Sequence, residues 1–157
     1  MKHTIILTAT GKVWGMGDNK FSQIGNRDEI TTICLSPTLI HLNDITVSDI
    51  HCGSNHSLFV SKDRKKIVAQ GRNNYGQLGT ELPCVRNEIP LKSQLKQLAV
   101  GSEHNLALLE SGELYAWGWN EHGQLGLGDE EHYFTPTLHT DLYSSVFCGA
   151  AQCFASV

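Results

Sequence analysis

From Gly101 to Val157 the chain contains no lysine and no arginine. The same segment holds eight acidic residues: Glu103, Glu110, Glu113, Glu121, Asp129, Glu130, Glu131 and Asp141. It therefore carries a formal charge of -8, and the first 100 residues carry +4, which together give the net charge of -4. The simpler interpretation is that these charges lie on solvated turns and faces. The alternative is an acidic end that attracts a basic partner and repels nucleic acid.

The chain also lacks a long apolar run and a secretion signal. No run approaches the roughly 18 apolar residues that a membrane span requires. The start, MKHTIILTAT, has no convincing cleavage site and is predicted to form a strand. The cysteines are odd in number and none has C-x-x-C spacing, which favours reduced thiols in a cytoplasmic or nuclear protein. They are Cys34, Cys52, Cys84, Cys148 and Cys153.

Motifs for catalysis are missing as well. Ser57 follows His56, but neighbours on a strand point to opposite faces, so they cannot form a catalytic dyad. There is no G-x-S-x-G elbow and no G-x-x-x-x-G-K-[ST] phosphate loop. We therefore predict that the chain is not an enzyme, has no catalytic residues and needs no cofactor.

The chain does contain an internal repeat. Three segments align: HTIILTATGKVWGMGDNKFSQIG, HSLFVSKDRKKIVAQGRNNYGQLG and HNLALLESGELYAWGWNEHGQLG. The leading glycines Gly53, Gly101 and Gly149 are each 48 residues apart, and CGAAQCFASV begins a fourth copy. A period of roughly 50 residues that is rich in short strands indicates a propeller or a related array. We predict one domain over 1–157, with repeats at about 1–52, 53–100 and 101–148 and a fourth that starts at 149–157.

Each copy is predicted to fold as strand, turn and return strand. In the third copy Ser111 and Gly112 form the turn, and 114–117 form the return strand. Between copies, 47–51 and 97–100 are predicted to be innermost strands. The segment 91–98 shows a weak preference for a turn or two of helix.

Several positions recur in all copies and are predicted to be structural. They are His3, His56 and His104, then Asn19, Asn73 and Asn120, then Gly25, Gly79 and Gly126. The asparagines can bond their own backbone and start a turn, and the glycines permit a positive φ. The histidines suggest a metal site, but adjacent blades would hold their rings too far apart for one zinc ion. We predict that they bond neighbouring backbone and that the chain has no metal site.

The pattern G-x-x-H-x-x-x-L, followed by W-G-x-N-x-x-G-Q-L-G, resembles the regulator-of-chromosome-condensation repeat, which builds seven-bladed β-propellers. The resemblance implies an all-β fold with about three blades, an incomplete arc of mostly antiparallel four-stranded sheets. The segments GSEHNLALL and YAWGWNEHGQLG are most similar to those of the branch of the secretion-regulating guanine nucleotide exchange factor and the alpha-tubulin suppressor. Three blades cannot close, so we expect either a piece of a longer chain or closure by self-association or on a partner.

The resemblance implies a non-catalytic protein-interaction scaffold. The cysteine usage predicts a cytoplasmic or nuclear location, the lack of a long apolar run predicts no membrane association, and the acidic third copy disfavours direct contact with nucleic acid. One role is an accessory subunit, paired with a small metal-binding protein, in wobble-uridine modification of tRNA or in diphthamide formation. The alternative is guanine nucleotide exchange on a small GTPase. Variable loop residues are the predicted partner contacts: Trp119, His122, Arg72, Asp18, Tyr75 and Phe21. Trp119 has an alternative interpretation as a residue packed on the neighbouring blade.

Overall fold

The structure is a computed structural model that describes residues 3–25, 32–43 and 45–157. Strands form all of its regular structure. They are β1 (His3–Leu7), β2 (Val13–Asp18), β3 (Ile33–Ile40), β4 (Val47–Cys52), β5 (His56–Ser61), β6 (Lys66–Gly71), β7 (Arg86–Pro90), β8 (Leu95–Val100), β9 (His104–Leu109), β10 (Glu113–Gly118), β11 (Tyr133–Leu142), β12 (Ser145–Cys148) and β13 (Cys153–Ser156). No helix that could cross a membrane occurs in these residues.

The strands form four antiparallel sheets, which are successive blades of a propeller. Strands β4 to β7 and β8 to β11 make two complete four-stranded blades. Strands β1 to β3 form a three-stranded sheet before them, and β12 with β13 forms a hairpin after them. The innermost strand β8 contacts both β4 and β12. The predicted all-β fold, an incomplete arc of mostly four-stranded antiparallel blades, is confirmed.

The predicted inner strands at 47–51 and 97–100 are confirmed as β4 and β8. The weak helical preference of 91–98 was wrong, because Leu95 begins a strand that pairs with β9. Pairing along a whole neighbouring strand outweighs a local preference that spans only a turn or two.

The core lies between blades. Strands β5 and β9 are buried on both faces, since each middle blade packs against a blade on either side. Leu58 and Val60 face the third blade, where they meet the fully buried Trp117, and Phe59 faces the first blade. The interpretation of Trp117 as a core residue is confirmed, whereas Trp14 on β2 is only half-buried.

The recurring Asn and Gln-Leu/Ile-Gly positions fold each long loop in the same way. The Asn73 Oδ1 atom accepts a hydrogen bond from the backbone N–H of Leu78 at 2.9 Å. Equivalent bonds join Asn19 to Ile24 at 3.0 Å and Asn120 to Leu125 at 2.8 Å. The aliphatic partners Ile24, Leu78 and Leu125 are at most 1% exposed. The predicted asparagine turns and their positive-φ glycines are therefore confirmed.

These loops define what we call the asparagine end of the molecule, formed by residues 19–25, 72–85 and 119–132. The strands alternate in direction, so the tight turns at 8–12, 62–65 and 110–112 lie at the opposite end, which we call the hairpin end. Five of the six predicted contact residues lie in these loops, and Asp18, the last residue of β2, directly precedes the first loop.

Candidate protein-binding surface

Arg72 joins the aromatic residues of two blades at the asparagine end. Its guanidinium carbon lies 5.5 Å from the centre of the Phe21 ring and 5.4 Å from that of Tyr75. Tyr75 in turn meets His132 edge-on, with ring centres 5.0 Å apart. Cation–π contacts of this kind orient a guanidinium without consuming all of its N–H donors. We call Phe21, Arg72, Tyr75 and His132 the aromatic row.

A concave pocket of about 420 Å³ adjoins the aromatic row. Phe21 and Arg72 form one side, and Pro83, Val85 and Phe134 contribute apolar walls. The row therefore borders a recess large enough to receive side chains of another molecule.

Trp119 and His122 form a second aromatic contact on the third blade. Their rings meet edge-on with centres 5.4 Å apart. The Trp119 backbone is fixed on both sides: its N–H donates to Glu103 O at 2.9 Å, and its carbonyl accepts from Gln124 Nε2 at 2.8 Å. The Trp119 ring is half-buried and His122 is exposed. A fixed backbone with an accessible aromatic side chain is suited to anchoring a partner.

The loop that carries Trp119 is acidic. Between 119 and 132 it has no lysine or arginine, and it exposes Glu121, Asp129, Glu130 and Glu131. Asp129 also accepts a hydrogen bond from the Tyr133 hydroxyl at 2.7 Å, which raises the pKa of Tyr133. The third blade thus combines an aromatic pair with negative charge.

Asp18 belongs to neither aromatic group. Its carboxylate accepts a hydrogen bond from the backbone N–H of Lys20 at 3.0 Å, which shapes the start of the first loop. The structure therefore places five of the six predicted residues in two aromatic clusters and leaves Asp18 as a turn-forming residue.

Glu103 is a residue that the sequence analysis missed. One carboxylate oxygen accepts from Asn55 Nδ2 at 2.7 Å, and the other accepts from Gln77 Nε2 at 2.5 Å. Both donors belong to the preceding blade, so Glu103 holds two blades together just beneath the candidate surface. The only sequence signal was an acid within the G-x-x-H motif.

The repeat histidines correct one expectation. Two of the three, His3 and His56, bond side chains of the next blade and not neighbouring backbone. His3 Nε2 lies 2.9 Å from Ser57 Oγ, and His56 Nε2 lies 2.8 Å from Asn105 Oδ1. We call these the cross-blade bonds. Ser57 therefore pairs with His3 and not with the adjacent His56, as strand geometry requires.

Each cross-blade bond continues to a loop carbonyl of the preceding blade. Ser57 Oγ donates to Gln23 O at 2.9 Å, and Asn105 Nδ2 donates to Gln77 O at 3.0 Å. Because Ser57 uses its hydrogen there, and the Asn105 oxygen can only accept, both histidines donate from Nε2. The repeat thus fixes blade to blade through buried polar chains.

Among the residues that the structure describes, one group of side chains could hold a metal ion. Ligand atoms of His104, Cys148 and Cys153 all lie within 4.8 Å of one another. The hydrogen bond from Cys148 is the largest cause that lowers the pKa of the Cys153 thiol, to about 6. The sequence analysis considered the three repeat histidines together and overlooked this mixed group, because its cysteines are not in C-x-x-C spacing. The cysteines are free thiols.

Comparison with known proteins agrees with the architecture. A profile of the "Regulator of chromosome condensation (RCC1) repeat" matches residues 10–60 and 111–156, and a second profile of that description matches 95–124. The Ultraviolet-B receptor UVR8 of Arabidopsis thaliana is 34% identical over 159 residues, which cover 94% of this chain and 35% of the receptor. The human RCC1-like G exchanging factor-like protein is 36% identical over 148 residues, covering 80% of this chain and 31% of that protein.

Solved structures show the same fold. Prp20p of Saccharomyces cerevisiae superposes with a TM-score of 0.84 at 25% identity, covering 98% of this chain and 41% of that chain. Human WBSCR16 also gives 0.84, at 24% identity, covering 98% of this chain and 42% of that one. This chain spans about a third of the length of the two curated relatives. The narrower branch of the exchange factor and tubulin suppressor stays a prediction, but the repeats, the blades and these similarities together show that the chain belongs to the regulator of chromosome condensation (RCC1) repeat family.

Proposed function

We propose that this chain supplies a non-catalytic protein-binding surface at the asparagine end of an RCC1-type propeller. The observation that carries the proposal is Arg72, held between Phe21 of the first blade and Tyr75 of its own. This arrangement presents aromatic and cationic groups from neighbouring blades in one place. Such residues are the usual anchors of protein interfaces.

The chemistry of the loop at 119–132 favours a partner with a basic face. Trp119 and His122 provide apolar contact, and the acids of the same loop provide negative charge. Complementary charge increases the rate of association and rejects partners of the same sign. A direct nucleic-acid contact is disfavoured at this loop, because phosphates require lysine or arginine.

A second candidate function is guanine nucleotide exchange on a small GTPase. The observations that favour it are the human relative named as a G exchanging factor-like protein and the structure of Prp20p, described with its binding to Gsp1p and histones. An accessory role in tRNA wobble-uridine modification or diphthamide formation, with a small metal-binding protein as partner, is a third proposal. It has no support from these relatives.

Affinity capture with matched variants tests the surface. The chain is immobilised beside R72A, W119A and the control K65A, whose exposed side chain lies at the hairpin end. Partners that depend on the surface are retained by the wild type and K65A and lost from R72A and W119A. A GTPase captured preferentially without nucleotide supports exchange, and a small metal-binding protein supports the accessory role. Equal retention by all four proteins contradicts the proposed surface.

A further inference from the structure

The third blade boundary differs from the two that carry the cross-blade bonds. The position that matches Ser57 and Asn105 is occupied by Cys153. The histidine that faces it, His104, is fully buried, and neither of its ring nitrogens has a nitrogen or oxygen partner; its polar neighbour is the Cys153 thiol. A thiol is only a weak hydrogen-bond partner, so this boundary satisfies its buried imidazole less well than the other two do.

A second thiol completes the group. Cys148 pairs directly with Cys153 across the hairpin of β12 and β13, and their Sγ atoms lie 3.5 Å apart. The matching cross-strand pairs in the two complete blades are Cys52 with Ser57 and Val100 with Asn105. Within residues 3–25, 32–43 and 45–157, the one set of three metal-ligating side chains with its atoms within 4.8 Å is this one.

We propose that His104, Cys148 and Cys153 bind a zinc ion. Two thiolates on one tetrahedral zinc, each at about 2.3 Å, lie about 3.8 Å apart, so the present sulfur separation requires only a small shift. The imidazole of the preceding blade supplies the third ligand. Thiolate and imidazole are the ligands of zinc, whereas calcium and magnesium take oxygen.

The ion has a route of entry and a structural consequence. Cys148 lines a pocket of about 240 Å³ together with Gly101 and Gly149, where the inner strands of three blades end. Each coordinating thiol releases its proton to solvent. Three protein ligands leave a fourth position for water or for a partner's side chain. The bound ion ties the hairpin of β12 and β13 to the third blade, in place of the cross-blade bond.

Metal titration of the reduced, chelator-treated 157-residue chain tests the site. The wild type is expected to bind one equivalent of Zn²⁺. With Co²⁺ as a spectroscopic probe it is expected to show tetrahedral ligand-field bands and thiolate-to-cobalt charge transfer. C148S, C153S and H104Q are expected to weaken binding by more than about 100-fold, beyond the loss typical of residues that only orient a ligand. Circular dichroism on each variant checks that the strands persist.

Two further variants use the repeat as an internal control. C52S removes the cysteine equivalent to Cys148, from a boundary that has only one thiol, and is expected to bind zinc like the wild type. S57C adds a second thiol opposite Cys52 and beside His3, so the stoichiometry is expected to rise from one to two.

The proposal is overturned if the reduced wild type binds no zinc, or if the cobalt spectrum shows no thiolate charge transfer. It is also overturned if C52S loses as much affinity as C148S, or if the stoichiometry of S57C stays at one. Formation of a Cys148–Cys153 disulfide, detected by mass spectrometry in place of metal uptake, also overturns it.

Discussion

The Nε2 atom of His56 lies 2.8 Å from Oδ1 of Asn105, and this bond crosses from one blade to the next. Both side chains are fully buried. The two residues are far apart in sequence, so the contact exists only once two blades have stacked. A buried bond of this kind couples the stability of the propeller to the charge state of one histidine.

Stability is expected to fall in mild acid because of His56. Burial is the main cause that lowers its pKa, from 6.5 to about 4, and nearby His104 and His3 act in the same direction. Between these pH values His56 binds a proton in the unfolded chain but stays neutral in the folded chain. Its contribution to the free energy of unfolding is therefore fully present above pH 6.5 and is lost as the pH falls towards 4. The loss is about 3 kcal/mol, at about 1.4 kcal/mol per pKa unit.

Urea unfolding across this pH range measures the effect. His56→Gln keeps an amide donor for Asn105 but does not titrate, so its stability curve is expected to be flatter. Burial also lowers the pKa of His3, so a smaller slope of the same sign remains in that variant. Parallel curves for the two proteins would contradict the assignment to His56.

Gly101→Ala is expected to destabilise the third blade. The His104 ring packs directly against Gly101, and a Cβ at this position would overlap its Cε1 atom. Overpacking of this kind costs about 1–3 kcal/mol. Gly149→Ala is the matched control, because there the added Cβ meets only the flexible Gln152 side chain, at 3.2 Å. Thermal or urea unfolding should therefore show a clear loss for Gly101→Ala only, and equal losses would exclude the ring contact as the cause.

Ser22→Gly and Gly76→Ser are expected to change stability in opposite directions. Ser22 has a φ of 61° where the sister loop has Gly76 at 82°. Glycine removes the left-handed strain at this position, but it also loses more conformational entropy on folding than serine does. The net effect is expected to stabilise the first variant by up to about 1 kcal/mol. Gly76→Ser adds a Cβ against the backbone of Tyr133 and Phe134 and is expected to destabilise. Denaturant unfolding measures both variants. If their midpoints move in the same direction, the two loops are not equivalent.

Trp119→Ala is expected to weaken partner binding and leave the fold intact. The ring contacts His122 of its own loop, while the backbone is held independently by Glu103 and Gln124. Removal of an interface anchor of this size is expected to cost at least about 2 kcal/mol of binding free energy. Isothermal titration with the captured partner measures it. Loss of the β-sheet circular dichroism signal in this variant would instead show that Trp119 is a core residue.

The isolated chain is expected to self-associate through its last hairpin. Phe147 and Phe154 pair across β12 and β13, and each is 60% exposed. Apolar sheet surface of this kind favours association. Sedimentation velocity should show concentration-dependent species that the variant F147S/F154S reduces. A well-folded monomer at every concentration would contradict the expectation and would rule out obligatory closure by a second copy.

Local patterns explain why the blades could be predicted. The Asn73 side chain bonds Leu78 within one loop, so sequence spacing alone indicated that turn. The strand and turn order followed from the repeat for the same reason, since paired strands adjoin in sequence. The candidate surface was predicted only in part. The sequence indicated the variable loop positions, but the contact of Arg72 with Phe21 depends on how two blades pack.

The repeat, the all-β class and the loop turns can be read from the sequence, because they depend on hydrogen bonds and side-chain alternation over a few residues. Which side chains meet across blades depends on the tertiary structure. His56 with Asn105, and His104 with Cys148 and Cys153, come together from neighbouring repeats. Such contacts depend on the stacking distance and register of separate sheets, which no spacing within one repeat specifies.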